Sequence, residues 1–197
     1  MILAYHSIFS AYGFWLPNDP RGSWSDFVRQ WELVRFGKAT KTDARHSLAR
    51  VPHEVAARRA AKEALKYPPV SFTGIQARSI AGGFGQAAGE SSYRIHACSI
   101  LPEHVHVVVA RHRRRIERIV GHLKARATHC LRCDGLHPLA AWGGADAAAP
   151  SPWGRRGWHV YLDDLRDVAR AIGYVRDNPV KERKARQNWS FVTPYGA

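Results

Sequence analysis

The sequence predicts an α+β fold of the ferredoxin-like (RRM-like) kind, an antiparallel sheet with helices packed on it. Three observations carry that expectation. An aromatic and β-branched run fills Leu3 to Tyr12. Two strand-like runs, Tyr93 to Leu101 and His104 to Ala110, are separated only by Pro102 and Glu103. Segments with helical apolar spacing lie between and after them, so the order reads strand, helical region, strand, strand, helix, strand, helix. With 197 residues, 45% of them apolar, the chain holds enough for one packed core and reads as a single domain over 1–197.

Each element has its own local cause. The first strand stops at a turn-rich run, Gly13 to Gly22, which contains Pro17, Asn18, Asp19 and Pro20. The stretch from Ser23 to Arg50 mixes Trp24, Phe27, Trp31 and Phe36 with basic residues and supports only a short helix and loops. Pro52 opens an alanine-rich helix that ends before Pro68 and Pro69. Thr73 and Gln76 have capping-box spacing, which predicts a helix from Gly74 to about Gly89. From Ile116, the residues Ile119, Val120, Leu123 and Ala127 recur at helical spacing. An Ala/Gly/Pro loop, Asp134 to Gly157, leads to a short strand, Trp158 to Leu162. An aspartate-capped helix, Asp164 to Asp177, follows; Pro179 is expected to close it, and Leu165, Val168, Ile172 and Val175 form its buried stripe.

Charge narrows the choice of partner. The chain has 23 Arg and 7 Lys, and its net charge is +14 with histidine neutral. A GC-rich genome accounts for arginine in place of lysine but not for the charge itself. A field of this size attracts polyanions, and nucleic acid is the foremost one in a cell. Arg113, Arg114, Arg115, Arg118 and Arg126, around the helix from Ile116, and Arg155 and Arg156 in the loop are candidate phosphate contacts; a solvated face is the plainer alternative. Trp142, Trp153 and Trp158 either stack on unpaired bases or pack in the core. No run approaches the roughly 20 apolar residues of a membrane span, so no membrane partner is expected. Met1 to Leu16 lacks the basic start and cleavage site of a secretory signal and reads as a strand. Three cysteines point to a reducing, cytoplasmic setting. Cys130 and Cys133, with His129 and His137, crowd into one helix end, whereas structural zinc draws its ligand pairs from separated segments; local packing is the preferred reading.

Two constellations bear on chemistry. His104-Val105-His106 lies in a valine-rich strand, where a side-chain period of two sends both imidazoles to one face, close enough to share a metal ion. A pair of core-edge histidines is the alternative. On the last helix, at about 100° per residue, Tyr174 points roughly 140° from the centre of the apolar stripe. Asn178, four residues on, is its neighbour on the same side. A half-buried tyrosine at a helix edge would look the same.

Together the two stretches resemble a known superfamily. Ile100-Leu101-Pro102-Glu103-His104-Val105-His106-Val107-Val108-Val109 is similar to the histidine motif of the HUH endonucleases, and Tyr174-Val175-x-x-Asn178-Pro179-Val180 to the nucleophile helix of their single-tyrosine branch. That branch holds the transposases of small insertion sequences and the REP-associated tyrosine transposases. The motifs stand about 70 residues apart on the elements expected of them. Against that pattern the chain has Leu101-Pro102-Glu103 where Met-Pro-Asn or Met-Pro-Asp is usual. It also has an insertion at about 13–69 and a basic tail over 180–197.

The resemblance implies a DNA transposase in which Tyr174 attacks single-stranded DNA, forms a 5′-phosphotyrosine bond and releases a 3′-hydroxyl. Hairpin-bearing single strands would be its partner, in the cytoplasm at the nucleoid. His104 and His106, with an oxygen from Asn178, would hold Mg²⁺ or Mn²⁺; mixed nitrogen and oxygen donors suit either, and Mn²⁺ tolerates imidazole better. Members of the branch also allow a homodimer in which one subunit's histidines meet the other's tyrosine. Two other readings stand beside this one. One is a non-catalytic or domesticated nucleic-acid-binding protein of the same fold. The other is a replication-initiator or relaxase type of HUH nuclease, which usually carries a third histidine or a second tyrosine near the first; neither is apparent in the sequence.

Overall fold

A computed structural model describes residues 1–17, 31–37, 54–144 and 148–196. Most of the expected insertion, including Trp24, Phe27 and Pro52, lies outside the described residues. The elements are β1 (Ala4–Ser10), α1 (Trp31–Val34), α2 (Val55–Glu63), α3 (Gly74–Ser91), β2 (Ile95–Ile100), β3 (His104–Ala110), α4 (Ile116–Cys133), β4 (Trp158–Leu162) and α5 (Leu165–Lys181), with a short 3₁₀ turn at Ala140–Trp142. The four strands form one sheet in the order β2-β3-β1-β4, and every pairing is antiparallel. This is the ferredoxin-like arrangement.

Strand alternation splits the molecule into two layers of packing. Tyr5 and Phe9 of β1, with Val105, Val107 and Val109 of β3, face α3 and α4 and form the main core with Ile80, Phe84, Ile119 and Leu123. Fully burying each such large side chain contributes about 1.5–3 kcal/mol. The two helices approach closely because Gly83 lacks a side chain: a methyl group there would lie 2.5 Å from the Ala127 nitrogen. The opposite face is covered by α5, through a smaller cluster of Ala4, Ala97, Val108, Leu162, Val168 and Val175.

The helix caps agree with the sequence. Thr73 and Gln76 form the reciprocal capping box at α3. Asp164 accepts from the backbone N–H groups of Arg166 and Asp167 at α5, an arrangement contributing on the order of 1 kcal/mol. Two expectations about α5 are corrected. Pro179 does not close the helix but sits inside its last turn, and the helix runs on to Lys181. So near the end, proline's missing N–H costs one hydrogen bond, to the carbonyl of Val175, and leaves the residues before it helical. Leu165, expected in the buried stripe, is 62% exposed; it is the first residue of the helix, and the stripe begins at Val168.

The tail does not hang free. Gln187 donates to the Ile100 carbonyl and accepts from the Ile100 N–H (2.8 and 2.7 Å), and the Thr193 N–H bonds the Ile95 carbonyl (2.8 Å). These contacts cover the outer edge of β2, which would otherwise offer unpaired backbone groups. Trp189 and Phe191 pack against the main core. Among the described residues no helix is long and apolar enough to cross a membrane.

Candidate active site

The α5 face of the sheet carries the polar residues. Alternation in β3 turns His104, His106 and Val108 toward α5, and the register of β1 places Ser10 opposite His104, Ile8 opposite His106 and His6 opposite Val108. His6 therefore lies on the same face as the histidine pair, diagonal to His106, where long side chains of neighbouring strands meet. Trp158 of β4 lies opposite Ile8 and extends the row.

The rings converge. His104 and His106 have centroids 4.9 Å apart. The Tyr174 ring lies 5.6 Å from that of His106 and 5.9 Å from that of His6. His6 Nε2 and His106 Nδ1 are 3.2 Å apart, a buried hydrogen bond, and the two rings are stacked. Phe14, just past β1, stacks on the far side of His104 at 5.1 Å. The imidazoles and the phenol thus meet within one chain. Tyr174 occupies the flank of α5, its ring against the histidines and 43% exposed.

Burial sets the charge state of the cluster. It pulls the His6 imidazole down to about 4. His106 is held well below the usual histidine range by burial first, and then by its neighbours His104 and His6. Both rings are therefore neutral at physiological pH, with lone pairs available for hydrogen bonds or a cation. The Tyr174 phenol is pushed up, by burial and then by the nearby Glu182 carboxylate. The Lys181 ammonium lies 4.7 Å from the centre of the ring. Glu182 also faces His104, Oε1 to Nε2 at 3.8 Å. Without another positive charge beside it, the phenol stays protonated at neutral pH.

Asn178 bears on whether these residues suit a divalent ion. It is buried, 6% exposed, one helical turn beyond Tyr174, and its Nδ2 has no hydrogen-bond partner among the described residues. Oxygen and nitrogen of a carboxamide are assigned by their surroundings, so the orphaned position is one an amide oxygen can fill. A carboxamide oxygen together with two imidazole nitrogens is a donor set that suits Mn²⁺ or Mg²⁺. Histidine, cysteine and carboxylate alone do not suffice: among the described residues no group of three is arranged to hold a metal. That applies to the Cys130, Cys133, His129 and His137 set as well; Cys133 Sγ merely meets His129 Nε2 at 3.5 Å.

The arginines fall into separate groups. Arg111 and Arg113 to Arg115, with His112, Ile2 and Tyr5, line an open cleft of about 790 Å³. It lies at the end of β3 away from His104. Arg114 is held there by Tyr93 Oη and Ser91 Oγ (2.9 and 3.1 Å). Arg118 is exposed on α4. Arg126 is engaged by Glu90 through Nε and Nη2, and this pair with His122 ties α3 to α4. Arg155 and Arg156 are exposed at the His104 end, in a loop whose Gly154 and Arg156 carbonyls accept from the Lys124 ammonium (2.9 and 3.0 Å). Of the tryptophans, Trp153 is core, packed on Phe9 and Phe72. Trp142 is 51% exposed, its ring near that of Tyr67, and Trp158 sits 6.4 Å from His6.

Sequence reasoning missed His6, and with it Glu182 and Lys181. A third histidine does stand beside the pair, contrary to the sequence reading. The one available signal was its place on the first strand, which a ferredoxin-like order sets beside the histidine strand; its face depends on a register that only the folded sheet defines.

Fold and cluster together define a ferredoxin-like α+β domain with a histidine–tyrosine centre on its single-helix face. Comparison with solved structures finds similar chains at low identity. One is a REP-associated tyrosine transposase bound to a REP hairpin, with TM-score 0.47 and 13% identity over 91% of this chain and 68% of that one. Another is a candidate transposase from Deinococcus radiodurans R1, with TM-score 0.42 and 12% identity over 94% and 93% of the two chains. No protein-family profile matches the chain, and neither does any curated protein. The functional reading therefore rests on the chain's own residues.

Proposed function

We propose that this protein is a transposase that cleaves and rejoins single-stranded DNA through Tyr174. The phenol gives up its proton to solvent as its oxygen forms a bond to phosphorus, the bond from phosphorus to the 3′ oxygen breaks, and that oxygen takes up a proton from solvent. One strand is left as a 5′-phosphotyrosine ester and the other as a free 3′-hydroxyl. An ester of this kind stores the bond energy, so attack by a second 3′-hydroxyl reseals the strand and frees the tyrosine. His104, His106 and Asn178 would hold Mg²⁺ or Mn²⁺. When bound, the ion supplies positive charge to a non-bridging phosphate oxygen and to the charge developing on the reacting oxygens.

The observation that carries this reading is the convergence of Tyr174 with His106 and His104 on one face. Choice of hairpin-bearing DNA rests on the resemblance of the two motifs, and the arginine-lined cleft supplies charge for a phosphate backbone.

Incubating the protein with Mn²⁺ and a hairpin-bearing single strand should give a covalent adduct on a denaturing gel. Tyr174→Phe should abolish it while leaving DNA binding intact. An adduct that persists in Tyr174→Phe overturns the nucleophile. DNA binding that survives EDTA, with no cleavage product under any ion, would instead mark a nucleic-acid-binding module of the same fold.

A further inference from the structure

His6 has no part in the chemistry just described, yet it is 8% exposed in the middle of the site. It is fenced by His106 on one neighbouring strand, by Trp158 on the other and by Tyr174 above. Its Nε2 meets His106 Nδ1 at 3.2 Å. Between two imidazole nitrogens at that distance one donates its proton to the other, and only two arrangements exist. If His6 donates, His106 carries its own proton on Nε2 and has no lone pair left for a cation. If His106 donates from Nδ1, its Nε2 lone pair is free.

We propose that His6 is a positioning residue: as the acceptor of the His106 Nδ1 proton, it fixes the tautomer and ring orientation that leave His106 Nε2 open to the divalent ion. This rests on the reading of His106 as a metal ligand. The role is one usually filled by a carboxylate or a backbone carbonyl, whose hydrogen bond orients a ligating histidine and raises its basicity. Here a neutral imidazole does it, which adds no negative charge beside the phosphate that must enter. The stacked geometry also limits rotation of His106 about its own side-chain bonds. His6 acts through His106 rather than on the substrate.

The test has two readouts besides activity. In the metal-free wild type, long-range ¹H–¹⁵N spectra of the histidine rings should show His106 protonated on Nδ1, and His6 protonated on Nδ1 with Nε2 accepting. Titration with Mn²⁺, followed by calorimetry, should then separate two variants. His6→Phe keeps a flat ring but cannot accept, and its affinity should fall by about 10- to 100-fold, the usual cost of losing such a partner. His6→Gln can present a carbonyl oxygen near the Nε2 position and should bind close to wild type. His106 protonated on Nε2 in the wild type overturns the proposal, as does His6→Phe binding Mn²⁺ as tightly as wild type. A wild type that binds no Mn²⁺ overturns the metal reading and this role together, which distinguishes the two failures. The wild-type spectra need no variant to fold.

Discussion

At the scale of single residues, the cluster is a balance between burial and charge. Tyr174 is a poor nucleophile as it stands, because burial and Glu182 both favour the protonated phenol. Replacing Glu182 with Gln removes the second cause and keeps the first. The Tyr174 titration, read as tyrosinate absorbance against a Tyr174→Phe control, should therefore move to lower pH in Glu182→Gln, yet stay above the ordinary tyrosine value. A titration that stays put would show that the carboxylate is screened from the ring. His104, His106, Tyr174 and Asn178 were legible in the sequence because their grouping is local: a period of two on one strand, an i, i+4 pair on one helix. His6 was not, since its partner stands 100 positions away and the contact depends on strand register. Glu182 and Lys181 escaped for a different reason. Pro179 reads as a stop, which puts both residues in a tail, whereas the helix carries on through the proline.

At the scale of elements, the order and type of strands and helices were readable from alternation, caps and turn residues, and β3 and β4 fall on the expected bounds. What periodicity does not contain is how closely elements approach. The meeting of α3 and α4 is the sharpest case. A Cβ at Gly83 would meet Ala127 N, Ala127 Cα and the Arg126 carbonyl carbon at 2.5–2.6 Å. All three are backbone atoms, which cannot rotate away. Alanine is the better helix former at an isolated position, but here Gly83→Ala should destabilise the protein by roughly 1–3 kcal/mol, the usual cost of overpacking. The urea midpoint measures it; a midpoint that rises would mean that the helices slide apart freely. Glycine is an unfavourable residue inside a helix, and at Gly83 the structure makes it the place where two helices touch.

At the scale of the whole molecule, part of the +14 charge gathers at the two ends of the sheet. Arg111 and Arg113 to Arg115 stand at one end of the sheet, and Arg155 and Arg156 at the other, with the histidine–tyrosine centre toward the latter. From His106 to Arg111 is five residues of strand, roughly 17 Å, so a polynucleotide engaging both must span at least that distance. If the arginines of the cleft neutralise phosphates, converting three of the four, Arg113, Arg114 and Arg115, to Gln should flatten the dependence of log affinity on log salt. For a single strand the slope should change by about 0.7 for each phosphate that no longer meets an arginine. An unchanged slope would place the DNA elsewhere. The two faces of the sheet also differ in depth. The α3 and α4 side holds nearly all the large apolar residues, while α5 leans on a few small ones. Its amides should exchange with solvent earlier than those of α3 and α4, as a unit that opens below the global unfolding energy. If Tyr174 carries the 5′ ester, the severed end would be fastened to the more lightly anchored of the two faces. Under that reading the strand end would move with α5 wherever that helix opens, while the platform beneath stays shut.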